Sequence, residues 1–227
     1  MADTILVVAD PVNSRREYRS PLRAEQAAET RRRILDAARQ LFLDRGYAGT
    51  TVAAVAETAG VSPDTVYAAI GGKRGLLEGV WASALSDAGD PRERADDVLA
   101  AIADPHERVA RLVELSCHIL DRTSPVHAVI RGAADGHPHA AELRSRMLQV
   151  RLDNQAGNVT AHLGGALRDG LTAAEAAEHY SALLSPELHH LLTMEQGWSA
   201  ERYQAWMTKL LTNDLLGERW APAQPAH

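Results

Sequence analysis

The chain of 227 residues is 45% hydrophobic and 24% charged, a composition typical of a globular protein with one large or two small domains. Its single cysteine, Cys117, excludes an intrachain disulfide and a metal cage built from several thiolates. The net charge is −6, yet residues 1–80 carry 11 Lys+Arg and 10 Asp+Glu, so the acidic excess lies in the remainder. Because phosphate binding needs only a locally basic face, DNA stays open as a partner.

Nothing in the chain predicts export or a membrane partner. The early apolar run at residues 5–9 is shorter than the core of a signal peptide, and Asp10-Pro11 follows it. No later stretch reaches the roughly 18 uncharged apolar residues that a membrane span needs. We therefore predict a cytoplasmic protein.

The first 45 residues divide into an arm and a helix. Residues 1–23 show no sustained period and contain spaced arginines, which predicts a flexible basic arm. These arginines either enter a minor groove of DNA or are solvated charges. Between residues 24 and 45 apolar side chains recur every three or four positions, and Gly46 follows, so the first helix is expected there.

Two short helices joined by a tight turn are predicted next. Thr51 caps a helix over residues 52–59, and Gly60 ends it in the left-handed conformation that glycine adopts without penalty. Ser62 and the proline after it then start a helix to about Ile70. Small or apolar residues separate the two helices at Val55, Ala56, Val61 and Val66. The pattern is typical of a helix-turn-helix, whose second helix enters a major groove, although two ordinary core helices would share its spacing.

The remaining chain also shows helical periods and strand patterns are nearly absent. After Gly71-Gly72 a helix is predicted from residue 73 to about 88, with amphipathic segments following at 91–103, 105–121, 124–134 and 138–168. Thr172 and Glu175 form a capping box that begins a helix to about Met194, which Ser185-Pro186 should kink or restart. Ser199 caps a last helix that carries a wide apolar stripe.

Residues 30–80 resemble the TetR family of repressors. The matching segments, in order, are Thr30-Arg-Arg-Arg-Ile-Leu-Asp-Ala-Ala37, Leu41-Phe42, Gly46-Tyr47, Thr51-Val52, Ala59-Gly-Val-Ser62, Val66-Tyr67, and Lys73 with Leu76-Leu77. Beyond residue 80 the similarity is architectural. The resemblance implies an all-α fold with a three-helix helix-turn-helix domain at residues 24–72. It also implies a helical effector-binding and dimerisation domain at 73–220, with 73–88 as the linking helix and 221–227 as a tail.

The resemblance implies the DNA contacts residue by residue. They are Thr51, Ser62, Pro63, Asp64, Thr65, Tyr67 and Lys73, with Arg31 and Arg32 as further candidates. Hydroxyls and a lysine at helix starts suit phosphate oxygens, which fix register rather than sequence.

Asp64 either stabilises the first helical turn or accepts a hydrogen bond from cytosine N4. The run Arg31 to Arg33 either touches the DNA backbone or is a solvated charge run. The family commonly has an aromatic residue after Tyr67, where this chain has Ala68.

An effector site and a dimer interface are expected in the C-terminal domain. The candidate ligand-binding residues are Trp81, His118, His127, Arg131, Met147, Arg151 and His179, each of which has core packing as its alternative role. The resemblance also implies that the last two long helices, residues 172–194 and 199–216, pair across a two-fold axis. The candidate dimerisation residues on them are Leu183, Leu184, Leu188, Leu191, Tyr203, Trp206 and Leu210.

Metal binding and catalysis find little support in the sequence. Eight of the ten histidines fall between His118 and His190, but no two of them stand four apart on one helix face. No serine elbow or glycine-rich phosphate loop is present, so we predict no catalytic residues, metal or cofactor. The function that follows is a homodimeric transcriptional repressor that a small-molecule effector releases from double-stranded operator DNA. A helical metal- or cofactor-binding protein with an incidental helix-turn-helix is the alternative.

Overall fold

The computed structural model describes residues 21–87 and 98–216, and within these ranges the chain contains helices and no strand. The helices are α1 (Pro21–Gly49), α2 (Val52–Ala59), α3 (Pro63–Ala69), α4 (Lys73–Asp87), α5 (Pro105–Ala134), α6 (Pro138–Leu163), α7 (Ala173–Leu183), α8 (Pro186–His190) and α9 (Ala200–Leu216). A 3₁₀ turn, Gly164–Ala166, follows α6, and a π-helical turn, Leu191–Glu195, follows α8. The all-α prediction is therefore confirmed.

Two predicted boundaries in the first 50 residues change. α1 begins at Pro21, so the last three residues assigned to the arm are helical. Gly46 interrupts α1 with φ 69° and ψ 171°, in agreement with the predicted stop, and one further helical turn continues to Gly49. The rest of the arm, residues 1–20, lies outside the described residues, as do residues 88–97 with most of the predicted 91–103 segment, and residues 217–227 with the tail.

The predicted helices 105–121 and 124–134 are one continuous helix, α5, with Pro125 inside it. Proline removes a backbone donor, but packing around it outweighs that cost. The flanking side chains of Thr123, Ser124 and Val126 are buried, and the Ser124 hydroxyl lies 2.8 Å from Nδ1 of His189 on α8. The next predicted helix, 138–168, ends earlier, at Leu163.

One hydrophobic core joins the first four helices to the end of the bundle. It contains Ile34, Phe42, Val55, Val66, Leu76 and Leu77 from α1 to α4, all at most 1% exposed. The same core continues into Ile130 of α5 and Leu143 of α6. α1 and α4, which pack on α5, therefore connect the short helices α2 and α3 to the helices of the C-terminal domain.

A second core holds the far end of the bundle together. It is built from the N-terminal half of α5, the C-terminal half of α6, and α7 and α9, with Tyr180 and Tyr203 as its largest fully buried side chains. The Tyr180 hydroxyl lies 2.8 Å from Ser116 Oγ and donates to the Leu112 carbonyl at 3.2 Å, so its burial leaves no unpaired polar group. None of the described helices combines the length and apolarity needed to cross a bilayer.

The helix signals between Thr172 and Leu216 are confirmed with one refinement. Thr172 and Glu175 form the capping box, and Ser199 Oγ accepts from the Arg202 N–H. The predicted break at Ser185-Pro186 separates α7 from α8, with Ser185 capping the new helix through the Leu188 N–H. Residues 172–194 are therefore two helices and a π turn.

Candidate nucleic-acid interface and effector cavity

α2 and α3 form a helix-turn-helix whose geometry follows from its caps. Thr51 accepts from the Ala54 N–H at 3.1 Å, and Gly60 ends α2 with φ 66° and ψ 40°. Ser62 then caps α3 by accepting from the Thr65 N–H at 3.1 Å. Val55 and Val66 are fully buried between the helices. This packing fixes the angle at which α3 projects from the protein.

The outer face of α3 is free of packing and presents polar groups. Ser62, Pro63 and Asp64 are exposed, and the Tyr67 ring is 57% exposed despite its size. The Ser62 and Thr65 hydroxyls lie 2.8 Å apart and form a hydrogen bond with each other in the first turn of α3. Thr51 is also exposed, at the start of α2.

The arginines of α1 hold the helix-turn-helix in place. Arg31 donates to the Ala69 carbonyl at the end of α3 at 2.7 Å, and Arg33 donates to the Ala59 carbonyl at the end of α2. Cations at helix C-termini satisfy carbonyls that lack an intrahelical partner. Arg32 pairs instead with Glu29 and Asp36 on its own helix face, at 2.7 and 3.2 Å. The sequence left these arginines as either contacts to the DNA backbone or a solvated charge run, and neither alternative included the bracing by Arg31 and Arg33.

Lys73 belongs to a contact between the DNA-binding helices and α6. Its Nζ donates to the Ala48 carbonyl at 3.2 Å and lies 4.4 Å above the Tyr47 ring. The Tyr47 hydroxyl lies 2.6 Å from Nε2 of His139, and its ring meets His137 edge-on. Burial raises the pKa of Tyr47 and lowers the pKa of His139, which favours a neutral imidazole accepting from the tyrosine hydroxyl. Position along the chain gave no signal for this contact, because 92 residues separate the two side chains.

A cavity of about 900 Å³ lies between α4, α5, α6 and α8. Its walls are mainly apolar, as ligand sites require, and carry a few polar and charged groups. The lining residues are Trp81, Leu85, Ser86, Ser116, Ile119, Leu120, Thr123, His127, Leu143, Arg144, Arg146, Met147, Leu148, Val150, Arg151, Asn154, Gln155, Asn158, Leu184, Pro186 and Glu187. The structure thus brings four of the seven ligand candidates together: Trp81, His127, Met147 and Arg151.

The other three ligand candidates lie outside this cavity. His118 and Arg131 are exposed on α5, because α5 turns those positions away from α6 and toward solvent. His179 on α7 lies 2.7 Å from a carboxylate oxygen of Asp214 on α9. Sequence reasoning missed Arg144, Arg146 and Glu187, which no motif distinguishes from the charges of a solvated helix face.

The dimerisation candidates divide by burial within the single chain. Leu184 and Tyr203 are 1% and 0% exposed inside the protomer, so they cannot contact a second copy and are corrected to core residues. Leu183, Leu188, Trp206 and Leu210 are half-buried, and Leu191 is 40% exposed. Met194, which the sequence did not single out, is 61% exposed on the same π turn as Leu191.

The described residues contain no group of three or more His, Cys, Asp or Glu side chains that is placed to hold a metal ion. The histidines instead pair with neighbours in the chain. His189 lies 2.8 Å from Ser124 and 3.0 Å from Asp121. These contacts tie α8 to α5 and give the clustered histidines a structural use.

Comparison with known proteins agrees with this geometry. Residues 34–80 match the model of the bacterial regulatory proteins of the tetR family. The HTH-type transcriptional regulator TtgR of Pseudomonas putida is 31% identical over 157 residues, which cover 66% of this chain and 72% of TtgR. The chain belongs to the TetR family. It is a helix-turn-helix transcriptional regulator, and regulators of this family bind DNA operators and typically act as dimers.

Solved structures of TetR-like regulators share the fold. NalD, the secondary repressor of the MexAB-OprM multidrug efflux pump in Pseudomonas aeruginosa, superposes with a TM-score of 0.65 at 19% identity, over 84% of this chain and 98% of NalD. A transcriptional regulator from Saccharomonospora viridis in complex with choline has a TM-score of 0.64 at 25% identity, over 83% of this chain and 98% of that one. The prediction of a DNA-binding regulator is confirmed, and the alternative of an incidental helix-turn-helix is not supported.

Proposed function

We propose that this TetR-family chain is a repressor that binds its operator as a homodimer and leaves it when a small molecule fills the cavity. The observation that carries this proposal is the position of α4. Trp81 and Leu85 of α4 line the cavity, and α4 begins directly after the recognition helix α3. One helix therefore contacts both the ligand space and the DNA-reading unit.

The connection between α3 and α4 is tight enough to transmit a shift. A Cβ atom on Gly75 would lie 2.2 Å from the carbonyl oxygen of Ile70, the residue that follows α3. Such close packing lets the first turn of α4 move only together with the end of α3. A ligand that displaces Trp81 would thus alter how two copies of α3 are spaced, and half-sites about 34–36 Å apart would no longer be matched.

On the DNA side, Thr51, Ser62, Pro63, Asp64, Thr65, Tyr67 and Lys73 are proposed as the contact set. Five of them, Thr51, Ser62, Pro63, Asp64 and Tyr67, are exposed on α2 and α3, whereas Thr65 and Lys73 are half-buried near the starts of α3 and α4. Arg32 is exposed beside them, whereas Arg31 is assigned the bracing of α3. Because base edges are read only inside the groove, Pro63 and Asp64 on the first turn of α3 are proposed as base readers.

The homodimer is proposed to form through the π turn and α9. Leu191 and Met194 are 40% and 61% exposed, and Trp206 and Leu210 are half-buried on α9. Apolar side chains at this density on an outer face mark an interaction surface. The family habit of acting as dimers supports a second copy of the chain as the partner.

Choline, the ligand of the Saccharomonospora viridis regulator, is a poor model for the effector of this chain. Recognition of quaternary ammonium groups uses a cage of aromatic faces. Among the described lining residues Trp81 is the only aromatic ring apart from His127, and three arginines line the same space. Both features disfavour a cation.

The test begins with the operator. Selection of genomic fragments by the purified protein yields the operator, which is then used in a titration with 8-anilinonaphthalene-1-sulfonate (ANS) as the cavity probe. If ligand and operator exclude one another, operator DNA weakens ANS binding by the same factor by which ANS weakens operator binding. Equal ANS affinity with and without operator would contradict the proposal.

Two variants locate the ANS site. Ile119 lines the cavity, so Ile119→Trp fills part of it and should reduce ANS binding. His118 is its exposed neighbour outside the cavity, so His118→Trp adds the same ring without occupying the space. Equal loss of ANS binding in both variants would place the probe elsewhere.

A further inference from the structure

The charges that line the cavity are unbalanced. Arg144, Arg146 and Arg151 all contribute to its walls, whereas Glu187 is the only carboxylate among the described lining residues. Burial, with smaller contributions from Arg144 and Arg151, lowers the pKa of His127, and Glu187 opposes this. The lowered pKa keeps this histidine neutral near pH 7. The described lining therefore carries an excess of positive charge.

The three arginines differ in what neutralises them. Arg146 reaches Glu78 on α4 at 3.4 Å, and Arg144 lies 3.9 Å from Glu187. Arg151 donates from Nη1 to the Ser181 carbonyl at 2.8 Å and lies 3.4 Å from Gln155 Oε1, both of which are uncharged. Within residues 23–87 and 98–216, no carboxylate lies within ion-pair distance of Arg151.

This arginine is also partly withdrawn from water. Burial lowers the pKa of Arg151, with Glu187 acting in the opposite direction from a greater distance. A guanidinium stays charged in proteins, so burial without a counter-charge costs free energy that an anion would recover. The planar donor fork of arginine also matches the two oxygens of a carboxylate.

The remaining walls suit an apolar body. Apolar side chains from α4, α5, α6 and α8 surround the space, namely Trp81, Leu85, Ile119, Leu120, Leu143, Met147, Leu148, Val150, Leu184 and Pro186. A volume of about 900 Å³ lies in the range of drug-sized ligand sites. A small inorganic anion would leave most of this apolar surface unfilled.

We infer that the effector is an amphipathic anion, with one acidic group at Arg151 and an apolar body against the walls of α4, α5 and α6. The inference rests on the proposed function and names the chemical class of its ligand. The acidic group would add a second negative charge to a region where Glu187 already faces Arg144 and His127. The apolar body would reach Trp81 and so connect anion binding to α4.

The test compares probes that share an apolar body and differ in headgroup charge. Dodecanoate, dodecanol and dodecyltrimethylammonium are titrated, below their aggregation concentrations, against the full chain with the uncharged fluorophore N-phenyl-1-naphthylamine bound. A hydrogen-bonded carboxylate should favour dodecanoate over dodecanol by about ten- to a hundredfold, with the cation weakest. 1-Naphthoate is included to distinguish an aromatic body from an alkyl chain.

Two variants assign the preference to one side chain. Arg151→Met keeps the length of the side chain and removes the charge, so dodecanoate should lose its advantage over dodecanol. Arg122→Gln removes a charge from an exposed position on α5 outside the cavity and should leave the ratio unchanged. Displacement of the uncharged fluorophore by dodecanol at unchanged affinity in Arg151→Met would show that the cavity is still folded.

The outcomes separate the inference from the proposed function. Equal binding of dodecanol and dodecanoate, tighter binding of the cation, or an unchanged dodecanoate preference in Arg151→Met overturns the anionic class. If a neutral or cationic probe nevertheless releases the operator, the proposed function stands. If dodecanoate binds through Arg151 without releasing the operator, the ligand class stands and the proposed function fails.

Discussion

The helix-turn-helix unit and the cavity-bearing bundle use their residues in opposite ways. In the first, fully buried small and branched side chains such as Val55 and Val66 hold two short helices at one angle, and the functional groups point outward. In the second, the functional groups point inward, and a space of about 900 Å³ separates helices that close packing would otherwise join. In the proposed function, DNA reading therefore depends on a rigid outer face, and the response to a ligand depends on an incompletely filled interior.

Replacing one glycine in each region by alanine tests the contrast between tight and open packing and gives the largest expected effect. At Gly75 a new Cβ would meet the Ile70 carbonyl oxygen at 2.2 Å, whereas at Gly132 in α5 it would meet nothing within 4 Å. We expect Gly75→Ala to cost about 1–3 kcal/mol of the free energy of unfolding and to weaken operator binding, since the backbone after α3 must shift. Urea unfolding and operator titration measure both effects.

Gly132→Ala is the matched control within the bundle. With open space around it, alanine removes the entropic cost of a helical glycine and should stabilise the protein by about 0.5–1 kcal/mol. Opposite signs for the two substitutions would support the contrast between a tight and a roomy region. A neutral Gly75→Ala would remove the basis for a rigid connection between α3 and α4.

A lysine at the junction between α3 and α4 gives the second prediction. Lys73 is held over Tyr47 at the start of α4, where a helix N-terminus also attracts phosphate. We expect Lys73→Met to weaken binding equally on all DNA sequences and to lower the salt slope of binding by about 1. Arg122→Gln, which removes a charge from α5, should leave the slope as it is.

The contact between the two regions gives the smallest effect. The Tyr47 hydroxyl donates to neutral His139, whose pKa is lowered by burial first and then by His137 and Arg74, against Glu78 and Glu142. Because the pKa is lowered in the folded protein, His139 takes up a proton in the unfolded chain first as the pH falls. The stability that depends on neutral His139 is therefore present above about pH 6.5 and is lost as the pH falls below it.

His139→Gln should therefore cost about 0.5–1 kcal/mol near pH 7.5, and the gap to the parent protein should shrink toward about pH 5.5. Burial also lowers the pKa values of His127 and His189. Both histidines are present in the parent protein and in His139→Gln, so their effect on stability cancels when the two are compared. Chemical unfolding at several pH values measures the gap. A gap that widens as the pH falls would contradict the assigned hydrogen bond.

The sequence predicted the first region better than the second for a physical reason. Caps, turn glycines and apolar spacing act within a few residues, so Thr51, Gly60 and Ser62 could be placed before the structure was known. The cavity joins α4, α5, α6 and α8 across more than 100 residues, and no local signal says which arginine faces inward. Arg31 shows the same limit, because its partner at Ala69 depends on how α1 crosses α3.

Long-range packing also explains the errors of element assignment. Pro125 predicts a break from its own chemistry, yet α5 continues because buried neighbours and the contact between Ser124 and His189 hold both sides in line. Leu184 and Tyr203 were expected at a dimer interface because they are apolar and lie on the two segments that the family resemblance implies to pair. Both fill the interior of the protomer, which periodicity cannot distinguish from an interface.

The central claim is that paired copies of α3 read a duplex from the exposed face of a rigid unit. Footprinting of the full chain on its selected operator, repeated between about 50 and 200 mM salt, tests it most directly. We predict two protected half-sites with centres one helical turn apart, or a whole number of turns, and a steep loss of affinity as salt rises. A single unpaired site, or binding that ignores both sequence and salt, would contradict it.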